Sequence, residues 1–286
     1  MKTDFFISDG GTRLAYVARN PKNARVGVII LHGLAEHKGR YEEFMDRLAA
    51  AGISAFAVDL RGQGESSGRR GDVENFDDYL SDLDSFVRFV RKKHPGLKLA
   101  IFGHSLGGLI AATYVADYAE AGSARPNEGA GTAPLQSVGM LILSSPSLET
   151  PRWLKVLRRA LAMVPAALLG KIYTKKRHSE SPAMMAISRS DPNAVRRFTL
   201  RLLKVAFIDG IGRAARNFRN IRIPVLMLGG RLDNITDSGG LRPVLEKFGG
   251  TDKTLTIYEN ARHRIVQNAA KDQAIPEIID WLRERA

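Results

Sequence analysis

Leu97-Lys98-Leu99-Ala100-Ile101-Phe102-Gly103-His104-Ser105-Leu106-Gly107-Gly108 is the stretch on which the reading of this chain turns. Its first six residues form a short, mostly apolar run after the Pro95-Gly96 breaker, the pattern of a buried strand. Leu109 to Ala116 follows, rich in alanine and apolar all round, the pattern of a buried helix. Gly103-His104-Ser105-Leu106-Gly107 is therefore Gly-X-Ser-X-Gly in strand–turn–helix context, a setting that raises a serine on a sharp turn as a candidate nucleophile. Such a serine sits in a strained backbone conformation, and small residues at 103 and 107 let strand and helix approach closely. The helix N-terminus aims its free N–H groups where negative charge would develop.

The flanking chain repeats the strand–helix alternation. Residues 5–19 read as a β-hairpin about Asp9-Gly10-Gly11, and Val26 to Leu31 as a central strand ending at His32-Gly33-Leu34-Ala35-Glu36-His37. A helix carrying Tyr41, Phe44, Leu48 and Ala51 precedes the strand Ile53–Val58. Phe76, Leu80, Leu83, Val87 and Val90 form one face of a long helix. Gly139–Leu143, Pro224–Leu228 and Thr254–Tyr258 supply three more strands, and Pro276 is expected to open a final helix. Alternation over this length implies an α/β fold with a mostly parallel central sheet and helices on both faces. The expected organisation is a core in two parts, 1–147 and 223–286, interrupted by a helical cap insertion at 148–222. Residues 121–136, small, polar and glycine-rich, read as a mobile surface excursion.

A serine needs a base, and the base needs a carboxylate to orient it. Of six histidines only His263 follows the last expected strand, while Asp233 lies just past the strand 224–228, nearer its end than the rival Asp237. Serine, acid and base then appear in the order Ser105, Asp233, His263. Two backbone N–H donors are needed for a developing oxyanion, and Leu106 and Leu34 are the candidates. This chemistry calls for no cofactor and no metal.

His32 to His37 leading to Arg40-Tyr41, then Asp59 to Ser66, then Gly103 to Gly108, together resemble the α/β-hydrolase superfamily, and within it the monoacylglycerol lipase and lysophospholipase group. The similarity runs from about Leu14 to the C-terminus and is weakest in the cap. The resemblance implies a Ser105–Asp233–His263 triad, an oxyanion hole at Leu34 and Leu106, and a cap over an acyl-chain pocket. It places His32, Gly33, Glu36, His37 and Arg40 as supports of the oxyanion loop, with Asp59 and Arg61 structural. Asn260 stands where many members have glycine, and asparagine tolerates the left-handed conformation.

The chain of 286 residues carries a net charge of +13 and no cysteine, which excludes disulfides and thiolate metal sites. No apolar run approaches the roughly 20 residues of a membrane-spanning helix, and Met1 to Gly11 has no signal-peptide pattern, so a cytoplasmic location is expected. The excess charge is local. Residues 151–222 hold 17 Lys and Arg against Glu180, Asp191 and Asp209; the rest holds 26 basic and 27 acidic residues. Three acids cannot neutralise that segment from within. Trp153 to Val164 reads as a basic amphipathic helix, suited either to an anionic membrane interface or to a lid with a solvated basic face. Residues 194–219 repeat the basic theme. Nucleic acid is not expected as a partner, because the segment lacks interleaved stacking aromatics.

The expected activity is therefore hydrolysis of lipid-like carboxylic esters, such as monoacylglycerols or lysophospholipids, through an acyl-enzyme. A general short-chain carboxylesterase, a serine aminopeptidase and a non-catalytic lipid-binding protein are the alternatives. Against the aminopeptidase stand Leu34-Ala35-Glu36 after His-Gly, in place of a glycine/proline-rich turn, and a cap that repels cations.

Overall fold

The computed structural model describes residues 2–118, 138–150, 161, 163–175 and 190–286. Its frame is an eight-stranded sheet built from β1 (Asp4–Ile7), β2 (Arg13–Arg19), β3 (Val26–Leu31), β4 (Ser54–Val58), β5 (Lys98–His104), β6 (Val138–Ser144), β9 (Val225–Gly230) and β10 (Lys253–Tyr258). The strand order is β1-β2-β4-β3-β5-β6-β9-β10. β1 and β2 form the hairpin and join β4 antiparallel; the six strands from β4 to β10 run parallel.

Alternation along each strand divides the core into two layers. Val28, Ile30, Ala100, Phe102, Leu226 and Leu228 face α1 (Glu42–Ala50) and the C-terminal helix α8 (Lys271–Arg283). Ile29, Leu31, Leu99, Ile101, Val225 and Met227 face α2 (Phe76–Lys93), α3 (Leu106–Tyr118) and the short helix α7 (Leu241–Glu246). Strands covered on both sides are necessarily apolar throughout, which is why β3 reads as an unbroken run. The fold class follows the sequence reading.

Pro276 is a correction. It lies inside α8 rather than at its start. Helical bonds begin five residues earlier, with Ala274 N–H donating to Ala270 O at 2.8 Å. Proline removes one internal bond, but Ala274 and Ile275 before it and Ile278 and Leu282 after it are fully buried on one face, and that burial holds the helix through the break.

Between β6 and β9 the described elements are the four-residue helix α4 (Ala166–Leu169), the strands β7 (Tyr173–Lys175) and β8 (Arg197–Thr199), the helix α5 (Leu200–Lys204), a π-helical turn at Val205–Gly210 and the helix α6 (Ile211–Asn217). Among the described residues, β7 and β8 pair only with each other. The excursion read at 121–136 lies outside the described residues, as does Trp153 to Ala160 of the amphipathic stretch.

Two cations of the basic segment find acids outside it. Arg201 pairs with Asp72 and, at 3.6 Å, with Glu74, while Arg213 pairs with Asp77 at 2.5 Å and Asp117 at 2.6 Å. The acids come from the loop before α2, from α2 itself and from the end of α3. A count within 151–222 could not see them.

The tightest constraint is at the β5–α3 turn. A Cβ on Gly103 would lie 2.5 Å from Gly107 O, and one on Gly107 would press into Leu31 O of the neighbouring strand. Gly107→Ala is expected to cost at least about 2 kcal/mol, since the obstacle is backbone that cannot rotate away. Thermal denaturation reads this as a fall of several degrees in Tm; an unchanged Tm contradicts the close approach.

Candidate active site

Every candidate residue sits at the carboxyl end of a parallel strand, and register brings those ends level. Leu31 of β3 stands beside Gly103 of β5, His104 beside Ser144 of β6, Leu228 of β9 beside Ser144, and Tyr258 of β10 beside Gly230. Loops separated by up to about 230 residues in the chain therefore meet on one rim.

Ser105 occupies the turn with φ of +52°, in the left-handed region that a side-chain-bearing residue adopts only under constraint. Its N–H donates to Ser144 O at 3.0 Å, and its carbonyl accepts from Leu109 N and Ser147 N, both at 3.1 Å. These bonds over-determine the strained conformation. Its Oγ rests 3.3 Å from Ser147 Oγ. Leu106 opens α3, so its N–H has no acceptor within that helix.

Asp233, three residues past β9, is buried. Its Oδ2 lies 2.8 Å from His263 Nδ1 and accepts from Thr236 Oγ1 at 2.5 Å; its Oδ1 accepts from the N–H groups of Ile235 and Thr236 at 2.8 and 3.1 Å. Burial alone would raise this carboxyl, but His263, the Thr236 hydroxyl and the Ile235 N–H outweigh it and hold the pKa at about 2. With Nδ1–H directed at the carboxylate, a neutral His263 carries its lone pair on Nε2. The His263 ring lies with its centroid 4.7 Å from that of His104, the residue bonded to Ser105. Asp237 instead caps its own short turn, accepting from Gly239 N at 3.0 Å.

The loop after β3 is built from committed donors. Gly33 N donates to Glu36 Oε2 at 3.1 Å, and Ala35 N, at φ of +62°, donates to Gln63 Oε1 at 2.7 Å. Leu34 N lies between them. His32 is buried, accepting from Leu60 N through Nε2 at 3.0 Å and facing Gly33 O through Nδ1 at 2.8 Å; burial lowers its pKa. Glu36 also accepts from Tyr41 OH at 2.9 Å and pairs with Arg264 at 2.5 Å. His37 Nε2 and Arg40 Nε meet Asp191 Oδ2 at 2.7 and 2.9 Å, so one acid of the basic segment fastens the loop. Asp59, fully buried, takes Lys38 Nζ at 3.0 Å and Lys38 N at 2.6 Å, while Arg61 pairs with Asp82 at 2.6 Å. Asp59 thus ties its own loop to the oxyanion loop, and Arg61 ties it to α2.

The sequence reading placed the triad candidates and the loop and missed the groups that fix them: Ser147, Thr236, Lys38, Gln63, Asp191 and Arg264. For Asp191 a signal existed, because an acid in so basic a segment invites a search for its partner. Asn260 is not among the residues at positive φ, which among the described non-glycine residues are Asn23, Ala35, Ser105 and Ser145, so its left-handed tolerance goes unused.

A family model described as serine aminopeptidase, S33, matches residues 22–269. The human protein "Monoglyceride lipase" is 29% identical over 260 residues, covering 90% of this chain and 82% of its own. "Monoacylglycerol lipase" of Mycolicibacterium smegmatis (strain ATCC 700084 / mc(2)155) is 25% identical, covering 97% of this chain and 95% of its own. Among solved structures, the monoacylglycerol lipase of Paleococcus ferrophilus is similar with a TM-score of 0.77 and 26% identity, over 96% of this chain and 99% of that one.

Burial lowers the pKa of His104 to about 4. Its Nδ1 lies 3.1 Å from Ser144 O, and Glu36 Oε1, 3.9 Å from Nε2, does not offset the burial. The unfolded chain takes up a proton near pH 6.5 that the folded His104 refuses until about pH 4, so stability falls as pH drops through that window. His104→Gln is expected to reduce the loss of stability between pH 7 and pH 5 by up to about 2 kcal/mol, with His32 retaining a share. Denaturant unfolding at pH 7 and pH 5 measures it; an unaltered slope contradicts the assignment. Asp233 titrates too low to contribute.

Proposed function

The chain belongs to the α/β-hydrolase family described as serine aminopeptidase, S33, and from that membership we propose that it is a serine hydrolase of lipid-like carboxylic esters of the monoacylglycerol lipase type, acting through an acyl-enzyme. The observation that carries this reading is the 2.8 Å contact between His263 Nδ1 and Asp233 Oδ2, with the imidazole ring beside the strained turn that bears Ser105. Ser105 Oγ turns from Ser147 towards His263 Nε2 and attacks the ester carbonyl as the imidazole takes its proton. Asp233 stabilises the imidazolium, and the N–H groups of Leu34 and Leu106 hold the oxyanion. The alcohol leaves with the proton from His263. Water, activated by the same imidazole, then releases the fatty acid and restores the serine.

Residues 148–222 act as the cap over the acyl chain, set between 1–147 and 223–286. Met163, Leu168, Ile172 and Tyr173 are exposed beside the exposed Lys171, an apolar group with a basic flank suited to peripheral contact of a cytoplasmic protein with anionic lipid. Among the described residues, no helix is long and apolar enough to cross a membrane. An aminopeptidase needs acid groups for a substrate ammonium. Two of the three acids in this segment, Asp191 and Asp209, are engaged with His37 and Arg40 and with Lys204.

Ser105→Ala is expected to abolish both ester turnover and fluorophosphonate labelling; retained turnover ends the proposal. Comparison of monoacylglycerol, lysophosphatidylcholine and short p-nitrophenyl esters should favour the long-chain substrates, whereas preference for the short esters identifies a general carboxylesterase. Binding to anionic vesicles should weaken as salt rises; insensitivity to salt refutes the electrostatic contact.

A further inference from the structure

We propose that Arg264 is a positioning residue, which with Glu36 forms a buried brace holding the loop of His263 at a fixed separation from the loop of Leu34. The inference rests on the functional reading above and extends it to a group that no motif marks.

Glu36 and Arg264 side chains are 3% and 2% exposed, and Glu36 Oε1 meets Arg264 Nε at 2.5 Å. A buried ion pair contributes little net stability, because desolvating both charges offsets most of their attraction. Its consequence here is geometric. The other oxygen of the same carboxylate accepts from Gly33 N at 3.1 Å and from Tyr41 OH at 2.9 Å, which fixes the peptide next to the Leu34 N–H. Arg264 is joined to His263 by one peptide bond, and the next residue, Ile265, is fully buried. The loop of His263 is tied to the acid loop by backbone, through Leu232 N to Ala261 O at 2.9 Å. Its tie to the oxyanion loop runs through Glu36 and Arg264. Base and oxyanion donors must share a frame to within a fraction of an ångström, and this pair connects the two loops that carry them.

The charges on and next to the loop of His263 make the proposal testable apart from folding. Against the ring lie Asp233 after β9, His104 at the end of β5 and the Thr236 hydroxyl, 3.5 Å from Nδ1; Arg262 and Arg264 are its chain neighbours, and Glu36 after β3 meets Arg264 and lies 3.9 Å from His104 Nε2. Removing Arg264 alone leaves the Glu36 carboxylate uncompensated and favours the imidazolium. Removing the Glu36 charge alone leaves an extra cation and disfavours it.

The experiment compares wild type, Arg264→Gln, Glu36→Gln, the double variant Glu36→Gln/Arg264→Gln and Arg264→Lys in the full chain. It reads kcat and KM on monoacylglycerol, the pH profile of kcat/KM and the rate of fluorophosphonate labelling. In Arg264→Gln, kcat should fall roughly 10- to 100-fold with KM within about threefold, as expected for misplaced catalytic groups. The acid limb of kcat/KM should move up in Arg264→Gln, down in Glu36→Gln, and return near wild type in the double variant while its kcat stays low. Arg264→Lys should recover part of the rate. The double variant buries no lone charge, so it keeps the test open if a single variant fails to fold. Wild-type kcat in the folded double variant overturns the brace, as does a loss that merely follows the folded fraction without opposite shifts of the acid limb. Failure of the functional reading shows separately, as absence of turnover and labelling in the wild type.

Discussion

The molecule depends on one close approach, between the glycines of the β5–α3 turn and the backbone of β3. Gly107 passes so near Leu31 O that no side chain fits between them, and Gly103 lies equally near Gly107 O. This contact forces the chain to reverse within a single residue and leaves Ser105 at φ of +52°. It also sets the first turn of α3 against the end of β3, where the loop of Leu34 begins. Strain at the serine and proximity of the two proposed oxyanion donors are thus two results of one packing contact. Neither needs a separate device.

Charge is arranged on a second, longer scale. A segment of 72 residues with 17 cations would repel itself in isolation, yet Arg201 and Arg213 find Asp72, Asp77 and Asp117 on the core. Asp72 is fully buried and takes both the Thr199 hydroxyl, at 2.5 Å, and the Arg201 guanidinium. Electrostatic complementarity between the insertion and the α/β frame fixes the β8–α5 end of the insertion in place. The exposed apolar residues at 163–173 adjoin that same end, since Tyr173 pairs with Thr199 and Leu200 N donates to Ile172 O at 2.9 Å. The part of the insertion fastened by buried charge thus also carries the exposed apolar surface.

The fold and the proposed triad were legible because both rest on local pattern. Unbroken apolar runs announce strands covered on two faces, Gly-X-Ser-X-Gly announces its own turn, and chain order after a strand end picks Asp233 and His263. What escaped has a common cause. Asp191 lies 154 residues from His37, Arg264 lies 228 residues from Glu36, and Ser147 lies 42 residues from Ser105. No periodicity carries such pairings, since they exist only once the strand ends stand level. Pro276 failed for a different reason, namely that apolar burial on both sides of it outweighs the signal of a single residue.

The three histidines around Ser105 differ in environment, and the difference is what supports His263 as the proposed site of proton transfer. His32 has one nitrogen accepting from Leu60 N and the other facing Gly33 O, and burial lowers its pKa. His104 is buried with only a carbonyl at hydrogen-bond distance, and the nearby Glu36 is already occupied by Arg264. A proton placed on either ring would find a carboxylate no nearer than 3.9 Å, Asp59 for His32 and Glu36 for His104, each already paired with a cation. His263 alone faces a carboxylate at 2.8 Å, and that carboxylate is kept ionised by the Thr236 hydroxyl and two N–H groups. In the proposed mechanism the proton therefore has one stable place to wait between leaving the serine and reaching the leaving group. The proposed assignment of His263 as base rests on where Asp233 stands, and Asp233 stands there because β9 and β10 end level with β5.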